Sequence, residues 1–100
     1  EAIVIQDRRV AFRCQSLDFL PLCGPLPVAT ENPHRSATGL YLNVAHGSRG
    51  ITGTPLCADL LADQIGGQPL PVDAQLVDAL DPSRFIVRKR KKQPEWKPCN

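Results

Sequence analysis

The sequence predicts a small α+β fold built from few strands and two helices. Residues Arg9 to Gln15 alternate, with Val10, Phe12 and Cys14 on one face, which reads as a strand with one buried side. Leu40 to Ala45 form a short apolar run behind Gly39, the pattern of a buried strand. Further along, Leu56 to Ile65 and the segment after Asp73 place apolar residues three and four apart, the spacing of helices that pack on one face.

Each element has its own punctuation. Asp18 to Pro27 is too rich in proline for a helix and reads as a loop feeding a short edge strand near Leu26–Ala29. Thr30 to Thr38 is polar turn material, expected as a surface loop. Leu40–Ala45 is apolar on both faces apart from Asn43, which suits a central strand of a parallel sheet covered by helices. The chain then passes through a glycine-punctuated turn, His46-Gly47-Ser48-Arg49-Gly50-Ile51-Thr52. Thr54 reads as an N-cap with Pro55 at the first helical position, and Gly66-Gly67 as the stop. After an extended connector, Gln68 to Pro71, Asp73 caps a shorter helix with Leu76, Val77 and Leu80 inward, closed by Asp81-Pro82. Phe85-Ile86-Val87 is a last apolar anchor. Residues 1–87 thus read as the folded part and 88–100 as a basic, flexible tail.

A strand entering a tight turn and then a helix N-terminus aims free backbone N–H groups at an anion or cofactor, which singles out residues 47–52. His46, leading into the turn, reads as a hydrogen-bonded structural residue, and Ser48 lacks the histidine and carboxylate of a serine hydrolase.

One hundred residues make one small domain in which a sizeable catalytic cleft is hard to build. No apolar run approaches the roughly 20 residues of a membrane helix. The chain opens on Glu1 with no basic leader and holds no methionine, as expected of a piece of a longer polypeptide. The four cysteines have no ligand spacing, so no metal is expected, and Cys14, Cys23 and Cys57 read as small buried hydrophobes in a cytosolic setting. The net charge of +2 is unevenly spread: residues 1–83 hold five Lys/Arg against nine Asp/Glu, residues 84–100 seven against one. Arg88, Lys89, Arg90, Lys91 and Lys92 are therefore candidates for phosphate contact with a nucleic acid, and Trp96 for stacking on a base. One parallel strand with one following helix is half of a unit, and the strands that would complete it are missing from these residues.

Arg13-Cys14-x-Ser16-x-Asp18-x-Leu20-Pro21-x-x-Gly24, then Gly39-Leu40-Tyr41, His46-Gly47-Ser48-Arg49-Gly50-Ile51-Thr52 and Pro55-Leu56-x-Ala58-x-Leu60-Leu61-Ala62 stand in an order that resembles the C-terminal end of the FAD-dependent D-amino-acid-oxidase-like flavoenzymes. Leu80 to Phe85 and Val87-Arg88-Lys89 extend the resemblance, which covers residues 8–92 and is greatest to the branch that modifies tRNA.

The resemblance implies the last strand and helix of an α/β FAD-binding fold joined to strands of a substrate domain. It also implies a cytoplasmic parent enzyme with two activities. An FAD oxidoreductase removes the carboxymethyl group from 5-carboxymethylaminomethyl-2-thiouridine at the tRNA wobble position, and an S-adenosylmethionine-dependent methyltransferase methylates the exposed amine. Gly47, Ser48, Arg49, Gly50, Ile51 and Thr52 would then face the cofactor, and Arg13 would grip the substrate carboxylate as a bidentate fork. No catalytic residue is assigned. The G-x-G-x-x-G turn of such enzymes is not among these residues, so the chain alone is expected to be inactive and to need the upstream part of its polypeptide. An oxidase of a free amino acid from the same superfamily and a non-enzymatic basic RNA-binding module remain as alternatives.

Overall fold

A computed structural model describes residues 2–28 and 36–95. Its elements run β1 (Leu22–Pro27), β2 (Ser36–Val44), α1 (Gly50–Gly66), α2 (Ala74–Leu80) and α3 (Arg84–Lys92), an α+β arrangement. The strands pair antiparallel, Leu22 opposite Val44 through Pro25 opposite Tyr41. The register slips between Pro25 and Pro27, where a proline without an N–H cannot donate to the ladder.

Several expectations about these elements are corrected. The first strand of the sheet starts at Leu22 rather than Leu26, and β2 begins at Ser36, taking in what reads as loop. Among the described residues β2 pairs with β1 alone and antiparallel, as consecutive strands without a crossover do, so no parallel neighbour completes it here. Residues 9–14 form no strand, since an alternating segment needs a partner to hold it, and only Gln15 bridges to His46. Val10 and Phe12 are accordingly fully exposed and Cys14 is exposed rather than buried.

A further correction concerns the long helix. α1 starts at Gly50 with Arg49 as N-cap, not after a Thr54 cap, and Pro55 lies inside it. The turn itself winds the chain early: Gly47 N–H donates to the Cys14 carbonyl at 3.1 Å, Arg49 N–H to His46 at 3.2 Å and Gly53 N–H to Arg49 at 2.9 Å. Pro55 then costs the helix only the bond to the Ile51 carbonyl. The expected stop holds, with Gly67 left-handed at φ 67° and its N–H on the Asp63 carbonyl. So does the Asp73 cap, which accepts from Leu76 N–H at 2.8 Å.

The basic run forms a third helix, α3, so the expected division at 87/88 falls inside a helix. Cys23 of β1, Cys57 and Leu60 of α1 and Leu80 of α2 make the core, flanked by Leu61, Val72 and Val77. Cys23 Sγ lies 3.4 Å from the Cys57 carbonyl, and burial, with the Cys57 thiol beside it, pushes the Cys23 thiol up to about 12. Large apolar side chains outside this core stay in solvent, among them Leu40, Tyr41 and Val44 on β2 and Ile51, Leu56 and Ile65 on α1. The radius of gyration is 17.0 Å, against about 13 Å for a compact chain of this length.

Candidate functional site

The turn after β2 and the loop before β1 meet in a cleft of about 310 Å³. Its walls are Asp18, Phe19 and Leu20 from the loop and His46, Ser48 and Arg49 from the turn. Residues 47–52 are thus brought together at the opening of α1, where no side chain caps the helix. The N–H groups of Gly50, Ile51 and Thr52 have no acceptor within a helix that starts there, and they carry its positive dipole end. Ile51 is almost wholly exposed.

His46 shapes the turn from beneath. Its Nε2 lies 2.6 Å from Asn43 Oδ1, and its Nδ1 is buried without a partner among the described residues. A Cβ on Gly53 would stand 3.4 Å from that Nδ1, and one on Gly50 would stand 3.4 Å from His46 Cβ. Gly50 and Gly53 therefore make room for the imidazole, and Gly47, at φ 59°, supplies the left-handed bend.

The opposite wall is fixed by charge. Ser16 Oγ lies 2.9 Å from Asp18 Oδ1 and 2.6 Å from the Leu20 carbonyl, and Leu20 N–H donates to Asp18 Oδ1 at 3.2 Å. From α3, Arg84 grips the same carboxylate with two bonds, Nε to Oδ2 at 2.9 Å and Nη2 to Oδ1 at 2.8 Å. Its remaining donors reach the Leu20 and Asp81 carbonyls at 3.0 and 3.1 Å. Arg88 adds a bond to Oδ2 at 3.0 Å. The Arg84 side chain is only 4% exposed and Asp18 21%. The Arg84 guanidinium, helped by the Leu20 amide, Ser16 and Arg88, holds the Asp18 carboxyl well below the usual carboxylate range against the opposing effect of burial. Phe85 lies under both guanidinium groups, 4.5 Å from Arg84 and 5.5 Å from Arg88.

Arg13 stands exposed just before this loop and has no hydrogen-bond partner among the described residues. Arg88 is shared with Asp18, while Lys91 and Lys92 are exposed at the end of α3. Trp96 lies outside the described residues. The Asp18–Arg84 clamp escapes a reading of the sequence, because its partners stand 66 positions apart; the available signal is a lone acid in the spaced motif and a lone arginine opening an apolar anchor. Among the described residues no group of His, Cys, Asp or Glu could hold a metal ion, and no helix is long and apolar enough to cross a membrane.

No family model matches the sequence. Curated relatives do. The chain is 44% identical over 94 residues to the tRNA 5-methylaminomethyl-2-thiouridine biosynthesis bifunctional protein MnmC of Methylobacillus flagellatus, covering 81% of this chain. This chain is similar to part of MnmC. The MnmC of Chromobacterium violaceum is 42% identical over 109 residues, covering 89% of the chain, and that of Stutzerimonas stutzeri 41% over 98 residues. The chain spans only 14%, 16% and 15% of the length of these three MnmC proteins. The matches bear out the resemblance to a segment of a tRNA-modifying, bifunctional enzyme.

Proposed function

We propose that this chain is the C-terminal part of the FAD-dependent oxidoreductase half of an MnmC-type enzyme. The reading rests above all on the similarity to MnmC proteins over more than four-fifths of the chain. Its substrate is a tRNA carrying 5-carboxymethylaminomethyl-2-thiouridine at the wobble position, and the missing methyltransferase half uses S-adenosylmethionine on the product amine. The upstream polypeptide covers the apolar side chains that β2 and α1 leave in solvent.

The residues at the turn fit a flavin. A helix opening without a side-chain cap, bent by Gly47 and seated over His46 by Gly50, offers N–H groups to a flat, polar ring. When bound, FAD would supply a two-electron oxidation of the methylene–nitrogen bond to an imine, and water would hydrolyse that imine to leave the free amine and release the two-carbon group as an aldehyde acid. The amides of Gly50, Ile51 and Thr52 would favour negative charge on a ring held there, by about 0.3–1 kcal/mol exposed and up to about 2 partly buried. Gly47, Ser48 and Arg49 hold the chain in the bend that aims them. Arg13, exposed and without a partner among the described residues, binds the carboxylate of the modified base through two parallel N–H bonds. Arg88, Lys89, Arg90, Lys91 and Lys92 meet the tRNA phosphates.

The test is a nucleoside digest of tRNA incubated with the full-length protein. Loss of the carboxymethyl group without S-adenosylmethionine, abolished by Arg13→Ala, supports the reading. An unchanged modified nucleoside, with a free amino acid oxidised instead, would put the protein among the amino-acid oxidases.

A further inference from the structure

Phe19 is an anomaly on an otherwise tightly bonded loop. It is a bulky residue with a left-handed backbone, φ 65°, and it is 72% exposed. That conformation is costly for a residue with a Cβ and persists only where the surroundings enforce it. Here they do so from both sides: Phe19 N–H donates to the Ser16 carbonyl, and Arg84 holds Asp18 and the Leu20 carbonyl, the neighbours of Phe19 in sequence. The clamp therefore spends a buried arginine on keeping an aromatic ring at the wall of the cleft, opposite Ser48 and Arg49. The same Asp18 carboxylate carries Arg88, the first of the exposed cations of α3. An exposed ring joined through Asp18 to the helix that carries the cations is a pairing by which proteins hold unpaired nucleotides: the ring stacks on a base while the cations take phosphates.

We propose that Phe19 is a stacking platform for an unpaired base of the RNA substrate, held in place by Arg84 through Asp18. This rests on the tRNA reading above and adds to it the residue that receives a base. Arg84 acts through Asp18 and is a positioning residue.

The experiment compares RNA binding by the full-length protein and its variants, with a fluorescently labelled anticodon stem-loop titrated at several salt concentrations. Phe19→Ala should weaken binding roughly tenfold, the order expected for one stacked base, and leave the salt slope unchanged because the ring neutralises no phosphate. Phe19→Tyr should bind as wild type does. Phe19→Gly removes the ring and relieves the backbone, so it should weaken RNA binding while melting no lower than wild type, a combination that a merely structural role does not produce. Wild-type affinity in both Phe19→Ala and Phe19→Gly would overturn the proposal. So would loss of bound flavin in Phe19→Ala with RNA affinity intact, which would make the ring a packing residue for the rest of the enzyme. A wild-type protein that binds no RNA would instead overturn the tRNA reading itself.

Discussion

Replacing Asp18 by Asn removes the charge that Arg84 and Arg88 share while keeping the shape of the side chain. Arg84, with only 4% of its side chain exposed, would retain the Leu20 and Asp81 carbonyls but lose the counter-charge of Asp18. Removing one partner of a buried pair costs about 3–5 kcal/mol, because the other charge is left uncompensated. In a multidomain enzyme the local measurement is hydrogen exchange. The amides of Phe19, Leu20 and Val87 sit on the two sides of the clamp, donating to Ser16, Asp18 and Ser83 respectively. A cost of about 3 kcal/mol should speed their exchange roughly a hundredfold in Asp18→Asn relative to wild type at neutral pH.

The difference should also depend on pH in one direction. The Asp18 carboxyl is held below its ordinary value in the folded state, so its contribution is fully present above the unfolded pKa of about 3.9 and is lost as pH falls below it. Wild type and variant should therefore differ by a constant factor from pH 7 to 5, and the gap should narrow below about pH 4. Equal exchange at pH 7, or a gap that widens in acid, would refute the clamp as the element joining α3 to the loop.

Other consequences follow from single residues. Gly24→Ala puts a Cβ 3.0 Å from Pro82 Cδ at φ 148°, and should lower stability by about 1–3 kcal/mol, read as a fall in melting temperature. Leu60→Ala truncates the largest fully buried side chain of the core and should cost about 2–5 kcal/mol in the same assay. Cys23, with its thiol pushed up to about 12 by burial, should stay unlabelled by a thiol reagent at pH 8 until the protein unfolds, as peptide mapping would show. Lys91→Glu with Lys92→Glu should weaken RNA binding and flatten its salt slope by about 0.7 for each phosphate that is no longer neutralised; an unchanged slope would remove these lysines from the interface.

The parts of the fold that are legible in the sequence are those fixed by local chemistry. Asp73 three residues before Leu76 and Gly67 after the last helical turn decide α2 and the end of α1 without help from elsewhere. What is not legible depends on partners distant in the chain. Pro55 reads as a helix start because nothing local reveals that Gly47 bonds to Cys14 and winds the turn early. A run of five cations reads as a frayed tail because the acid that neutralises Arg84 and Arg88 lies far upstream, although Lys89 to Lys92 do suit the negative end of a helix. The alternating segment around Val10 and Phe12 has a strand's pattern but, among the described residues, no strand's partner. At the candidate site the turn of residues 47–52 is readable from its glycines, while the wall facing it is not.

The most direct test of the account is the flavin content of the purified full-length protein, measured by visible absorption, for wild type and Gly50→Val. A valine there must crowd His46, whose Cβ already stands 3.4 Å from where the new Cβ would be. The account predicts a yellow wild-type protein and a variant that has lost its flavin. A colourless wild type, or a variant that keeps its full complement, would contradict it.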